Sequence, residues 1–116
     1  MSQRKLIIAL DFANLNDVKK IVEYIDPQQS MVKVGLQLYL AEGRRALDYL
    51  SEKGFTIFLD LKLHDIPNTV NKAVKEISNF NVAMTTIHLK GGRDMIEAAL
   101  ESASNTKIIG LSLIHI

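Results

Sequence analysis

No cysteine occurs anywhere in the 116 residues, so disulfides, thiolate nucleophiles and thiolate metal sites are all excluded. That composition fits a reducing compartment, and the expected location is the cytoplasm. Charge of one sign is also lacking: 14 Lys and Arg stand against 13 Asp and Glu, a net +1. Such a balance gives no electrostatic reason to expect nucleic acid or an anionic membrane as partner. Long apolar runs are missing too. Met1–Lys5 leads only into the strand-sized run Leu6–Leu10 without a small-residue cleavage site, so neither signal peptide nor membrane span is expected. There is no low-complexity tract or linker, which predicts one domain without an internal boundary. No Gly-x-Gly-x-x-Gly follows the first strand, which lowers a dinucleotide-binding reading.

What is there is ordinary for a globular chain, 47% hydrophobic and 23% charged. The first strand is Lys5–Asp11, apolar on both faces as expected of a parallel strand covered on both sides. Asn14 or Asn16 can cap the next helix, whose buried stripe is Val18, Ile21, Val22 and Ile25. Met31–Gly35 is the second strand, with Lys33 in its middle. A short helical or irregular piece, Leu36–Leu40, precedes a helix from Arg44 to Lys53 that buries Ala46, Leu47 and Leu50 and stops at Gly54. Val82–Leu89 is the fourth strand, Gly91 and Gly92 open a helix with Met95, Ile96, Ala99 and Leu100 facing inward, and Lys107 begins a fifth strand. Strands starting near residues 5, 31, 55, 83 and 107 alternate with helices, the beat of a parallel α/β sheet with right-handed crossovers. Periodicity alone does not separate a closed barrel from an open doubly wound sheet.

The third unit carries the chemistry. Phe55–Leu59 is an aromatic and β-branched strand that runs into Asp60, Leu61, Lys62, Leu63, His64 and Asp65, and Pro67 then suits the first turn of a helix buried through Val70, Ala73, Val74 and Ile77. Alternation along a strand puts Asp60 and Lys62 on one face and Leu59, Leu61 and Leu63 on the other. Parallel strands present their C-terminal ends to one side, where ligands bind. Those ends are Asp11, Lys33, Asp60 with Lys62, and His88. A lone Asp or His there is usually a solvated strand end. Lys33 among Met31, Val32 and Val34, and Lys62 between two leucines, are costly to bury unless they face a cleft with counter-charges.

The order Lys33, Asp60, Lys62, Asp65 alternates cation and anion, so all four groups can stay ionised while partly buried. An ammonium held this way can stabilise a developing carbanion and then protonate it. Flanking carboxylates keep a lysine charged, which argues against imine chemistry. Asp60 and Asp65 without a third ligand make a poor magnesium site. His64 reads as a surface or hydrogen-bonding loop residue, His88 as a packed histidine, and Gly91–Gly92 as a turn rather than an anion cradle.

The eleven residues from Asp60 to Val70 resemble the signature of the orotidine 5′-phosphate decarboxylase family. Ile8–Asp11, Val32–Gly35 and His88–Gly92 are similar to further blocks of that family in the same order, so the resemblance runs from Lys5 to Gly110. It implies a (β/α)8 TIM barrel of which this chain supplies about the first four to five β/α units, working as a homodimer with neither metal nor organic cofactor. By the same resemblance Lys62 protonates C6 of the pyrimidine after carbon dioxide leaves, and Asp60 faces the substrate carboxylate. Lys33 pairs with Asp60 and bonds the ribose, Asp11 also binds the ribose, and Asp65, Ile66 and Thr69 reach the partner's site.

Two departures stand out. Leu89 and Lys90 replace residues that are commonly small in the family, and the later strands, with the phosphate-gripping glutamine and arginine, are missing. The expected organisation is half a barrel over residues 1–110 and a non-native tail over 111–116. Expressed alone, the chain is expected to be inactive and poorly folded, because half a barrel exposes two sheet edges. The competing readings are a magnesium-dependent sugar-phosphate decarboxylase or synthase of the same superfamily, disfavoured by His64–Thr69, and a non-catalytic half-barrel.

Overall fold

The computed structural model describes residues 6–112, so Lys5 and most of the expected tail, 113–116, lie outside the described residues. The chain divides into two compact units, Met1–Asp60 and Leu61–Ile116.

In the first unit β1 (Leu6–Ala9) and β2 (Ser30–Gly35) run parallel, with Leu6 opposite Ser30 and Ala9 opposite Lys33. Leu10 N extends the ladder by donating to Lys33 O at 2.9 Å. β2 in turn pairs in parallel with the start of β3 (Ile57–Leu63), Val32 opposite Ile57 and Gly35 opposite Asp60. Val32, Val34, Ile57 and Leu59 alternate onto one face and are buried, where Leu10, Val18, Leu38 and Leu50 join them. Three helices supply that cover: α1 (Leu15–Val22), α2 (Leu36–Glu42) and α3 (Arg44–Glu52).

Local sequence explains where these helices start and stop. Asn14 is the N-cap of α1, its Oδ1 accepting from Asp17 N at 2.9 Å. Gly54 at φ 88° ends the α3 region, a conformation that costs residues with a β-carbon. Two expectations for this unit need correcting. Ile21 is 40% exposed, because the buried stripe of α1 is centred on Leu15, Val18 and Val22 and leaves Ile21 at its margin, and Ile25 is only half-buried because the helix ends before it. Leu6 and Ile7 are 61% and 51% exposed rather than covered on both sides, since β1 has only β2 beside it in this unit.

The second unit holds the end of β3, α4 (Pro67–Ser78), β4 (Met84–His88), a 3-10 turn (Leu89–Gly91), α5 (Arg93–Ser102) and β5 (Lys107–Leu111). β4 and β5 are parallel, Met84 opposite Lys107 and His88 opposite Leu111. Val70, Val74, Ile87, Met95 and Ala99 form its core, with Leu63, Ile96, Ala103 and Ile108 packed against it. Hydrogen bonds seal the outside of the two helices: Asn71 Nδ2 donates to Ala98 O at 2.9 Å and Ser78 Oγ to Ser102 O at 3.2 Å. Pro67 sits in the first turn of α4 as expected, because its missing N–H costs nothing there.

Leu100, expected to face inward, is 56% exposed, on the far side of Ile96 from the buried Met95 and Ala99. The fourth strand is also shorter than Val82–Leu89, since Leu89 turns into the 3-10 segment. Gly92, at φ 90°, supplies the reversal into α5, and a β-carbon on Gly91 would collide with the fully buried Met95 side chain.

Candidate active site

In the first unit the strand register gathers charge at the C-terminal ends of the strands. Residues opposite one another in parallel strands point the same way, so Lys33, Gly35, Phe58 and Asp60 share the face away from the buried valines. Asp60 lies diagonally across from Lys33, within reach of a long side chain. Its Oδ2 is 3.8 Å from Lys33 Nζ, and the Asp60 side chain is 9% exposed against 31% for Lys33. That distance is an ion pair rather than a hydrogen bond. Asp11, exposed just beyond β1, belongs to the same rim: a β-carbon placed on Gly35 would be 3.9 Å from Asp11 Oδ1. Lys33 and Asp60 are therefore paired through the β2–β3 register, and Asp11 lies against Gly35, the residue opposite Asp60.

Lys62 lies two residues further along β3, in the second unit. It is exposed, and its φ of 53° departs from the extended backbone that simple alternation assumes. Its backbone N donates to the hydroxyl of buried Thr86 on β4 at 2.9 Å. At Lys62 the backbone therefore leaves the extended values of a regular strand while remaining part of β3.

The residues after β3 line an open cleft of about 530 Å³ made by His64, Asp65, Ile66, Pro67, Lys90 and Gly91. Asp65 Oδ1 accepts from Ile66 N at 2.7 Å, which holds the carboxylate over the start of α4. Ile66 is 64% exposed, and Thr69, in the first turn of α4, is exposed too. The two histidines treated separately in the sequence meet here: the rings of exposed His64 and half-buried His88 lie 5.2 Å apart, tilted by 38°. Leu89 lies across β5, where a β-carbon on Gly110 would be 2.6 Å from Leu89 Cδ2, while Lys90 faces the cleft. Among the described residues no three His, Asp or Glu side chains gather as metal ligands, and no helix is long and apolar enough to cross a membrane.

Thr86 is the contact the sequence reading missed. Its only local signal is a hydroxyl inside a strand whose neighbours Thr85 and Ile87 are buried.

Comparison with known proteins bears on this arrangement. The sequence pattern of the Orotidine 5′-phosphate decarboxylase / HUMPS family matches residues 4–115. The chain belongs to that family. An orotidine 5′-phosphate decarboxylase of Bacillus cereus (strain Q1) is 45% identical over 107 residues, covering 92% of this chain and 44% of that protein. Among solved structures, an uncharacterized conserved protein from Geobacillus kaustophilus matches with a TM-score of 0.84 at 37% identity, over 90% of this chain and 53% of that one. Orotidine 5′-phosphate decarboxylase from Lactobacillus acidophilus matches with a TM-score of 0.83 at 36% identity, over 93% and 52%. The chain spans less than half the length of the curated relatives it matches. Its fold is α/β, about the first four to five β/α units of the family's (β/α)8 barrel.

Proposed function

We propose that this chain is the front half of an orotidine 5′-phosphate decarboxylase, residues 1–110 forming half of one barrel domain. The reaction breaks the bond between C6 of the pyrimidine and its carboxylate. Carbon dioxide leaves, the electron pair stays on C6, and the Lys62 ammonium donates a proton there to give UMP. A vinyl carbanion with no cofactor as electron sink needs a cation close by, and this protein is read as needing neither cofactor nor metal. Asp60 faces the substrate carboxylate, while Lys33 pairs with Asp60 and bonds the ribose together with Asp11. Asp65, Ile66 and Thr69 serve the site of a second copy in a homodimer, a role their exposure suits. The setting is cytoplasmic.

The observation that carries this reading is the ion pair of buried Asp60 with Lys33, on the strand that two residues later bears Lys62. A carboxylate kept that far from water is a poor surface residue and a useful fixed charge. The curated relatives also favour it over the magnesium-dependent sister reaction, since they carry the name orotidine 5′-phosphate decarboxylase at 45% identity.

The test joins residues 1–110 to the second half of the Bacillus cereus relative and follows UMP formation with and without a chelator. The completed barrel is expected to decarboxylate orotidine 5′-phosphate at a rate the chelator leaves unchanged. The 116-residue chain alone is expected to give no UMP, because the phosphate-gripping residues are outside it. A completed barrel that folds but makes no UMP, or that requires magnesium, overturns the reading.

A further inference from the structure

Lys62 is the only described residue other than glycine with a positive φ. A left-handed backbone crowds any β-carbon, and lysine has no short polar side chain to relieve the crowding locally. Such a conformation persists only where the surroundings over-determine it. Two contacts do so here. On one side, Leu63 packs against the core of Val70, Val74, Ile87, Met95 and Ala99 and fixes the chain just after Lys62. On the other, the amide of Lys62 donates to Thr86 Oγ1 at 2.9 Å.

Thr86 is 5% exposed on β4, between fully buried Thr85 and Ile87. Valine would fill the same space without bringing a hydroxyl into the interior, where a polar group is costly unless it is bonded. Packing alone therefore does not explain the oxygen, and the Lys62 amide is a partner that gives it a purpose.

We propose that Thr86 is a positioning residue: its hydroxyl holds the backbone of Lys62 in the left-handed conformation and so sets the direction in which the ammonium is presented. The catalytic consequence rests on the reading of Lys62 as proton donor, but the conformational claim does not. A side chain leaving a left-handed backbone departs along a different line from one on a regular strand. An error on the scale of an ångström at a reacting group is enough to cost roughly a hundredfold in rate.

The experiment uses Thr86→Val and Thr86→Ser in the completed barrel. In Thr86→Val the Lys62 amide is expected to exchange roughly tenfold faster, the loss of about one net hydrogen bond, and its three-bond amide coupling should move towards extended values. The turnover number should fall roughly 10- to 100-fold with little change in KM, since substrate binding is not what Thr86 serves. Thr86→Ser keeps the acceptor and should restore all three quantities. An unchanged Lys62 amide in Thr86→Val, or a serine variant as impaired as the valine one, overturns the proposal.

If the completed barrel makes no UMP at all, the decarboxylase reading fails while the amide measurements still judge Thr86. Should Thr86→Val fold poorly, Lys62→Gly supplies the second route, because glycine takes φ 53° without crowding. Thr86→Val should then lower the urea midpoint more in the Lys62→Gly background than in the parent, because only the lysine chain recovers the crowding of φ 53° once the bond is lost, and an equal or smaller loss in the glycine background refutes the role of Thr86.

Discussion

The two ends of β3 follow different rules. From Ile57 to Asp60 the strand keeps its alternation and its register with β2, and the result is a carboxylate delivered to the lysine on the neighbouring strand. From Leu61 to Leu63 the strand carries a left-handed residue whose amide bonds to a side chain 24 positions later in the chain. One charged group is placed by repetition and the other by exception. Regular geometry suffices for a pair that stabilises itself. A residue that must aim at something outside its own strand is held by a contact that no repeat supplies.

The largest effect expected from breaking this contrast is on rate. Lys62→Ala in the completed barrel should lower decarboxylation by roughly a thousandfold or more, because the general acid and its charge both go. Stability should hardly change, since Lys62 is exposed. A steady-state assay beside a urea titration reads both quantities. A variant that loses stability but keeps its rate would mean that Lys62 is a structural residue and Asp60 the only functional end of the strand.

Asp60→Ala sharpens the other end. It leaves the Lys33 ammonium in a partly buried place without its carboxylate. A fully buried orphan charge costs more, but Lys33 is about a third exposed and part of the loss is returned by water. The expected destabilisation is about 1–2 kcal/mol in urea unfolding of the completed barrel. Adding Lys33→Met should recover most of it, because the face then becomes apolar and nothing charged is left unmatched. If the double variant is as unstable as the single one, the pair is not what fixes Asp60.

The same contrast marks what could be read from the chain alone. The strand beat, a cap from one of the two asparagines Asn14 and Asn16, and Pro67 at the start of α4 follow from local patterns and appear in the structure, with Asn14 the cap, whereas the Lys33–Asp60 pair is implied by the family resemblance and depends on the β2–β3 register. Ile21 and Leu100 are exposed against expectation because each sits at the margin of an apolar stripe, where helical periodicity does not say how wide the covered face is. The meeting of His64 with His88 and the bond from Lys62 to Thr86 join residues 24 apart in sequence, and neither has a local signature. The change to Leu89 makes sense only once Gly110 on β5 is seen beneath it, since a strand glycine leaves room for a neighbour's side chain.

The smallest expected effect isolates the backbone exception itself. Lys62→Ala and Lys62→Gly remove the same ammonium, so both should be equally inactive. They differ in whether position 62 keeps a β-carbon while its φ is 53°. Alanine retains the crowding, whereas glycine removes it at the expense of more freedom in the unfolded chain. The first term is about 1–2 kcal/mol and the second about 0.5–1, so glycine should be the more stable by roughly 0.5–1 kcal/mol. On a regular strand the sign is reversed, because glycine there is the weaker residue. The sign of one difference in urea midpoint therefore decides whether the end of β3 is held away from its relaxed conformation. An alanine variant more stable than the glycine one would mean that Lys62 obeys the same alternation as Asp60 and that the contrast between the two ends of the strand does not exist.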